Sequence, residues 1–158
     1  MSYDLILVDG YSVIYAWPEL RARRRRRLAS AREELIGILG RFADESGAGV
    51  AVVFDGRKSP PPEPIPPTAR GLEVIFSKRG QTADEIIERC VAAAREPARL
   101  CVVTEDGAER RLCEGFGARV VGAEELWGMV GVARTEFEAR LDEVRRRGAP
   151  SRKMKFRS

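Results

Sequence analysis

Three short apolar runs, each closed by an Asp-Gly pair, constrain this chain more than any other feature. Leu5, Ile6, Leu7 and Val8 lead into Asp9-Gly10, and Val50–Phe54 leads into Asp55-Gly56. Leu100–Val103 is followed, after Thr104 and Glu105, by Asp106-Gly107. A strand with one wet face alternates apolar and polar residues, whereas a strand covered on both faces is apolar throughout. These runs therefore read as strands of a buried parallel sheet. Leu72–Phe76 supplies another strand and Arg119–Val121 a brief fifth one. Helical spacing fills the gaps between them. Leu28, Ala31, Leu35, Ile38, Leu39 and Phe42 share one face of a helix that stops near Gly47 and Gly49. Thr82, Ala83, Asp84 and Glu85 have the spacing of a capping box ahead of Ile86, Ile87, Cys90, Val91 and Ala94. A short helix follows Asp106-Gly107, and a last one carries Leu126, Val130, Ala133, Phe137, Leu141 and Val144. Strands alternating with helices in this way indicate a three-layer α/β/α sandwich with a central parallel sheet. Six prolines between Ser59 and Thr68 read as an exposed loop, because they deny the donors and angles that helix or sheet needs.

The chain has 158 residues, enough for one core, so a single domain over residues 1–147 is expected, with a basic tail at 148–158. It contains no histidine, which removes the usual general base, every Ser-His-Asp or Cys-His arrangement and the commonest zinc ligand. Chemistry must then run on carboxylates. Cys90, Cys101 and Cys113 form no C-x-x-C pair and are expected as free thiols. No apolar run approaches the ~20 residues of a membrane span, and no signal-peptide pattern precedes Leu5, so a cytoplasmic protein is expected.

Carboxylates do occur where ligands of such sheets bind, in the crevice beyond the carboxyl ends of the strands. Asp9, Asp55 and Asp106 each close a strand, and Asp84 opens the central helix. Each has a local reading as a turn residue, a cap or a partner of the helix dipole. Several like charges converging on one edge, however, raise one another's pKa and need a cation or protons to compensate. Oxygen donors without His or Cys select Mg²⁺ or Mn²⁺, which can activate water toward phosphorus.

The formal charge of +4 is unevenly spread, which suits a polyanion. Arg21, Arg23, Arg24, Arg25, Arg26 and Arg27 form one acid-free run. Arg145, Arg146, Arg147, Arg152, Lys153, Lys155 and Arg157 form another. A solvated helix face and a frayed tail would read the same way.

Motifs spread along almost the whole chain resemble the YacP-type NYN-domain proteins, which are PIN-like nucleases. They are the run Leu7, Val8, Asp9, Gly10, Tyr11, Ser12, Val13, Ile14, then Ala16, Trp17, Pro18, Glu19, Leu20, then Val52, Val53, Phe54, Asp55. Phe76, Ser77 and Lys78 leading to Thr82, Ala83 and Asp84, and Val102, Val103, Thr104, Glu105, Asp106, complete the set. The resemblance implies a PIN-like fold, a divalent-metal site and endoribonuclease activity, with mRNA on the ribosome as substrate. Asp9, Asp84 and Asp106 are then the catalytic acids and metal ligands, with Asp55 also in the metal site, either behind the first ion or binding a second one, and Ser12, Glu85 and Glu105 in support. The arginine run with Lys78 and Arg79 would track RNA, and Tyr11 and Trp17 could stack on bases or pack in the core. Ser12 stands where the family carries Asn, and Glu105 where a small Ser is more usual. The shorter reach of Ser12 leaves a second reading open, an RNA- or ribosome-binding module with a vestigial site. A flavodoxin-like or receiver-like domain would use the same edge but lacks a flavin loop and the late-strand lysine.

Overall fold

The computed structural model describes residues 3–58, 61 and 71–156, with side chains as far as residue 148. Its strands are β1 (Leu5–Asp9), β2 (Val50–Phe54), β3 (Leu72–Phe76), β4 (Leu100–Val103) and β5 (Arg119–Val121). The helices are α1 (Gly10–Ala16), α2 (Pro18–Arg24), α3 (Leu28–Ser46), α4 (Ala83–Ala93), α5 (Gly107–Gly115) and α6 (Ala123–Phe156). All strand pairs are parallel, in the order β3-β2-β1-β4-β5. The strands read from the apolar runs are thus found, in the three-layer arrangement expected. The proline-rich segment lies outside the described residues, apart from residue 61.

The apolar content of the strands follows from burial on both faces. In β1, Ile6 and Val8 pack with α1, α3 and α6 residues such as Ile14, Leu35, Leu39 and Leu126. The intervening Leu7 packs with Ile87, Val91 and Cys113 of α4 and α5. Each fully buried Leu, Ile or Val contributes about 1.5–3 kcal/mol, so neither face can lose its helices cheaply. Arg134 of α6 pairs with the buried Glu45 of α3 at 2.8 Å and adds a polar latch to the first face. Cys90, Cys101 and Cys113 are free thiols. No helix among the described residues is long and apolar enough to cross a membrane.

Two elements that sequence periodicity does not single out, α1 and α2, occupy the stretch between β1 and the arginine run. Seven residues each are too few to show a repeating face. Their division is chemical: Trp17 precedes Pro18, which disfavours helical angles in the residue before it. Trp17 is accordingly extended (φ −76°, ψ 124°), and Pro18 begins α2 without needing an N–H donor. Trp17 and Tyr11 are buried, and the Trp17 indole donates to the Ala123 carbonyl at 2.8 Å. Both therefore act as packing residues.

Strand order places the site. β1 is central, β2 and β3 wind outward on one side, and β4 and β5 on the other. The order reverses between β1 and β4, and the crevice beyond their carboxyl ends is a switch point of the kind that binds ligands. Helix α1 starts there without a linker because residue 10 is glycine. A Cβ on Gly10 would lie 2.3 Å from Cε1 of the fully buried Phe54 ring. Gly10→Ala should therefore destabilise the protein by about 1–3 kcal/mol, the cost of overpacking a filled core. A chemical-denaturation midpoint equal to that of the parent chain would contradict this packing.

Candidate functional site

Three elements deliver one carboxylate each to the crevice. Asp9 ends β1 and caps α1, its Oδ1 accepting from the Ser12 backbone N–H at 3.4 Å. Asp84 lies in the first turn of α4, whose start is fixed by Thr82 Oγ1 accepting from the Glu85 N–H at 3.2 Å. Glu109 lies in the first turn of α5. One oxygen from each of Asp9, Asp84 and Glu109 lies within 4.8 Å of the others.

Electrostatics makes this trio unusual. Glu109 is only 2% exposed, and among the described residues no N–H or hydroxyl donates to its carboxylate oxygens, which meet another acid, Asp84, instead. An ionised carboxylate in that state is expensive unless something compensates it. Burial first, then a hydrogen bond shared with the Asp84 carboxyl, and then the facing Asp9, Asp84 and Asp106 charges, hold the Glu109 carboxyl well above the ordinary carboxylate range. Asp9 is pushed up to about 6, chiefly by burial and then by Asp84 and Asp106, against the pull of the Ser12 N–H and Lys58. Three oxygen donors, with one acid buried among the others and no nitrogen or sulfur ligand in the set, fit a hard divalent cation such as Mg²⁺ or Mn²⁺.

The other acids read from the sequence have separate duties. Asp106 is exposed at the rim of the same cleft, and its Oδ1 accepts from the Ala108 and Glu109 N–H groups at 2.8 and 3.1 Å. It caps α5 and so orients Glu109, while lying outside the three-acid cluster. Asp55 lines the cleft too, but its carboxylate is taken up by Arg57, through the backbone N–H at 2.9 Å and the guanidinium at 3.1 and 2.8 Å. That pairing lowers the Asp55 pKa. Glu105 turns away from the cluster, and its Oε2 accepts from the Ala123 N–H at 2.6 Å to cap α6. Ser12 Oγ accepts from the Glu105 N–H at 2.7 Å. The short serine thereby joins the first turn of α1, which Asp9 caps, to the loop that carries Asp106. Glu85 is exposed, and its part in the site is confined to the start of α4.

The cleft has a volume of about 330 Å³, and the basic residues that line it are Arg57 and Lys58. Arg23 pairs with Glu34, and Arg24 lies over the Tyr15 ring, 4.7 Å from its centroid. Arg21, Arg25, Arg26 and Arg27 are exposed, the last three in the turn between α2 and α3. Lys78 and Arg79 are exposed in the turn after β3. Sequence reasoning missed Glu109, Tyr15 and Lys58. Glu109 follows Asp106 by three residues, one helical turn, which is the available signal, but that spacing is also what an ordinary dipole-complementing acid shows.

The profile of the YacP-like NYN domain matches residues 6–157. YacP of Bacillus subtilis (strain 168) is 34% identical over 142 residues, spanning 89% of this chain and 83% of that protein. The crystal structure of Rae1 (YacP) from Bacillus subtilis superposes with a TM-score of 0.76 at 32% identity, over 97% of this chain and 87% of that one. A tryptophan-to-leucine mutant of the same protein gives a TM-score of 0.73 at 33% identity, covering 89% and 82%.

The raised acids make stability depend on pH in a definite sense. Because the folded state holds protons that the unfolded chain releases, stability without divalent ions should fall as pH rises from about 4 through about 6, where Asp9 ionises. It should fall further at higher pH as Glu109 is forced to ionise. Each group contributes a slope approaching about 1.4 kcal/mol per pH unit. Thermal melts in chelator from pH 5 to 9 should show this decline, and Mn²⁺ should reverse it most at the alkaline end. A flat profile that Mn²⁺ does not alter would contradict the site.

Proposed function

This chain belongs to the family of proteins with a YacP-like NYN domain, and from that membership we propose that it is a divalent-metal-dependent endoribonuclease that hydrolyses RNA phosphodiester bonds. The observation that carries the reading is the cluster of Asp9, Asp84 and Glu109, in which a buried acid meets other acids and no N–H or hydroxyl donor among the described residues. Asp9, Asp84 and Glu109 would hold Mg²⁺ or Mn²⁺. When bound, such an ion supplies Lewis-acid activation of water for attack on phosphorus. The remaining residues organise that site. Asp106 fixes the first turn of α5, Ser12 ties the start of α1 to the loop before α5, and the Asp55–Arg57 pair braces the turn after β2. Exposed Arg25, Arg26, Arg27, Lys78 and Arg79 would attract the RNA backbone from outside the cleft. The substrate in this proposal is mRNA on the ribosome, in the cytoplasm, which the family resemblance and the basic surface support.

The alternative, an RNA- or ribosome-binding module without catalysis, is separated by one assay. End-labelled single-stranded RNA and ribosome-bound mRNA should be cut by the parent chain with Mg²⁺ or Mn²⁺ and left intact in chelator. Asp9→Asn, Asp84→Asn and Glu109→Gln should each lower the rate by about a hundredfold or more while the fold survives. Binding without any metal-dependent cleavage would replace the nuclease reading by the binding module. Full activity of Glu109→Gln would remove Glu109 from the site.

A further inference from the structure

Lys58 is the cation of the cleft whose placement the acid cluster does not explain. Its backbone N–H donates to the Asp55 carbonyl at 3.1 Å in the turn after β2. Its Nζ reaches back over two aromatic rings, 4.8 Å from the Tyr15 centroid and 5.5 Å from that of Tyr11. It also donates to the Tyr15 hydroxyl at 3.4 Å. The adjacent Arg57 is neutralised by Asp55, whereas no carboxylate among the described residues pairs with Lys58. The ammonium is thus held by quadrupoles and one hydroxyl, which fix its position without cancelling its charge. Tyr15 is itself fixed by Arg24 at 4.7 Å and by the stacked Tyr11 ring at 6.3 Å.

Charge balance says what such an ammonium is for. Asp9, Asp84 and Glu109 ionised, with Asp106 at the rim, carry −4, a divalent ion returns +2, and a phosphodiester brings −1, which leaves the loaded cleft at −3. Lys58 lines the same cleft as Asp9, Asp84 and Asp106 and removes one unit of that excess. A lysine ammonium is also a compact donor suited to a single phosphate oxygen. We propose that Lys58 binds a nonbridging oxygen of the RNA phosphate presented to the Asp9, Asp84 and Glu109 cluster, with Tyr15 as its positioning residue. The proposal rests on the nuclease reading above and deepens it.

The test measures binding of a single-stranded RNA 12-mer in chelator across a salt series, and its cleavage with Mn²⁺. Lys58→Gln should flatten the log-log salt slope by about 0.7, the value for one phosphate contact on a single strand. It should also lower kcat/KM by about tenfold or more, with Lys58→Arg recovering part of the loss. Tyr15→Leu should reproduce the Lys58→Gln defect, Tyr15→Phe should keep most of the activity, and Tyr15→Leu should add nothing once Lys58 is Gln. An unchanged salt slope and kcat/KM in Lys58→Gln, with the parent chain binding and cutting RNA, would overturn the proposal and leave the nuclease reading standing. A parent chain that neither binds nor cuts RNA would overturn both.

Discussion

A buried carboxylate that meets other acids in place of a donor is the constraint on which the arrangement around the crevice depends. Glu109 has almost no exposure to water, faces Asp9 and Asp84, and receives no N–H or hydroxyl hydrogen bond among the described residues. Left alone, such a group stays protonated or loosens the fold around it. Its position is nevertheless fixed from two sides. The Asp106 cap sets the first turn of α5, and packing of α5 and α4 on the sheet through Cys113, Ile87 and Val91 sets the depth. A fold that spends packing energy to hold an unsatisfied acid in place is suited to a ligand that satisfies it.

The surrounding acids show the contrast. Asp55 is consumed by Arg57, Glu105 by the first N–H of α6, and Asp106 by two N–H groups of α5. These carboxylates have structural partners and build the walls of the crevice. Asp9 and Asp84, which meet Glu109, are left to face one another.

Much of this was legible in the sequence. Continuous apolar runs gave β1, β2 and β4 because burial on both faces leaves no room for alternation, and the Asp-Gly closures marked the edge where Asp9 would lie. The capping spacing at Thr82 placed Asp84 at the start of α4. The three-dimensional facts were less visible. Helices α1 and α2 are too short to display a period, and their boundary rests on the local effect of Pro18 on Trp17. Glu105, a neighbour of Asp106 in sequence, points to the far side of the edge because Ala123 offers it a donor there. Glu109 looked like any acid in a first helical turn, since spacing gives the face of a helix but not the depth to which that face is buried.

The central claim is that the ion belongs between Asp9, Asp84 and Glu109. The most direct measurement is anomalous scattering from a crystal soaked in Mn²⁺. The account predicts one strong anomalous peak bounded by oxygens of those three side chains. A peak held instead by Asp55 or Asp106, or none at saturating Mn²⁺, would contradict it.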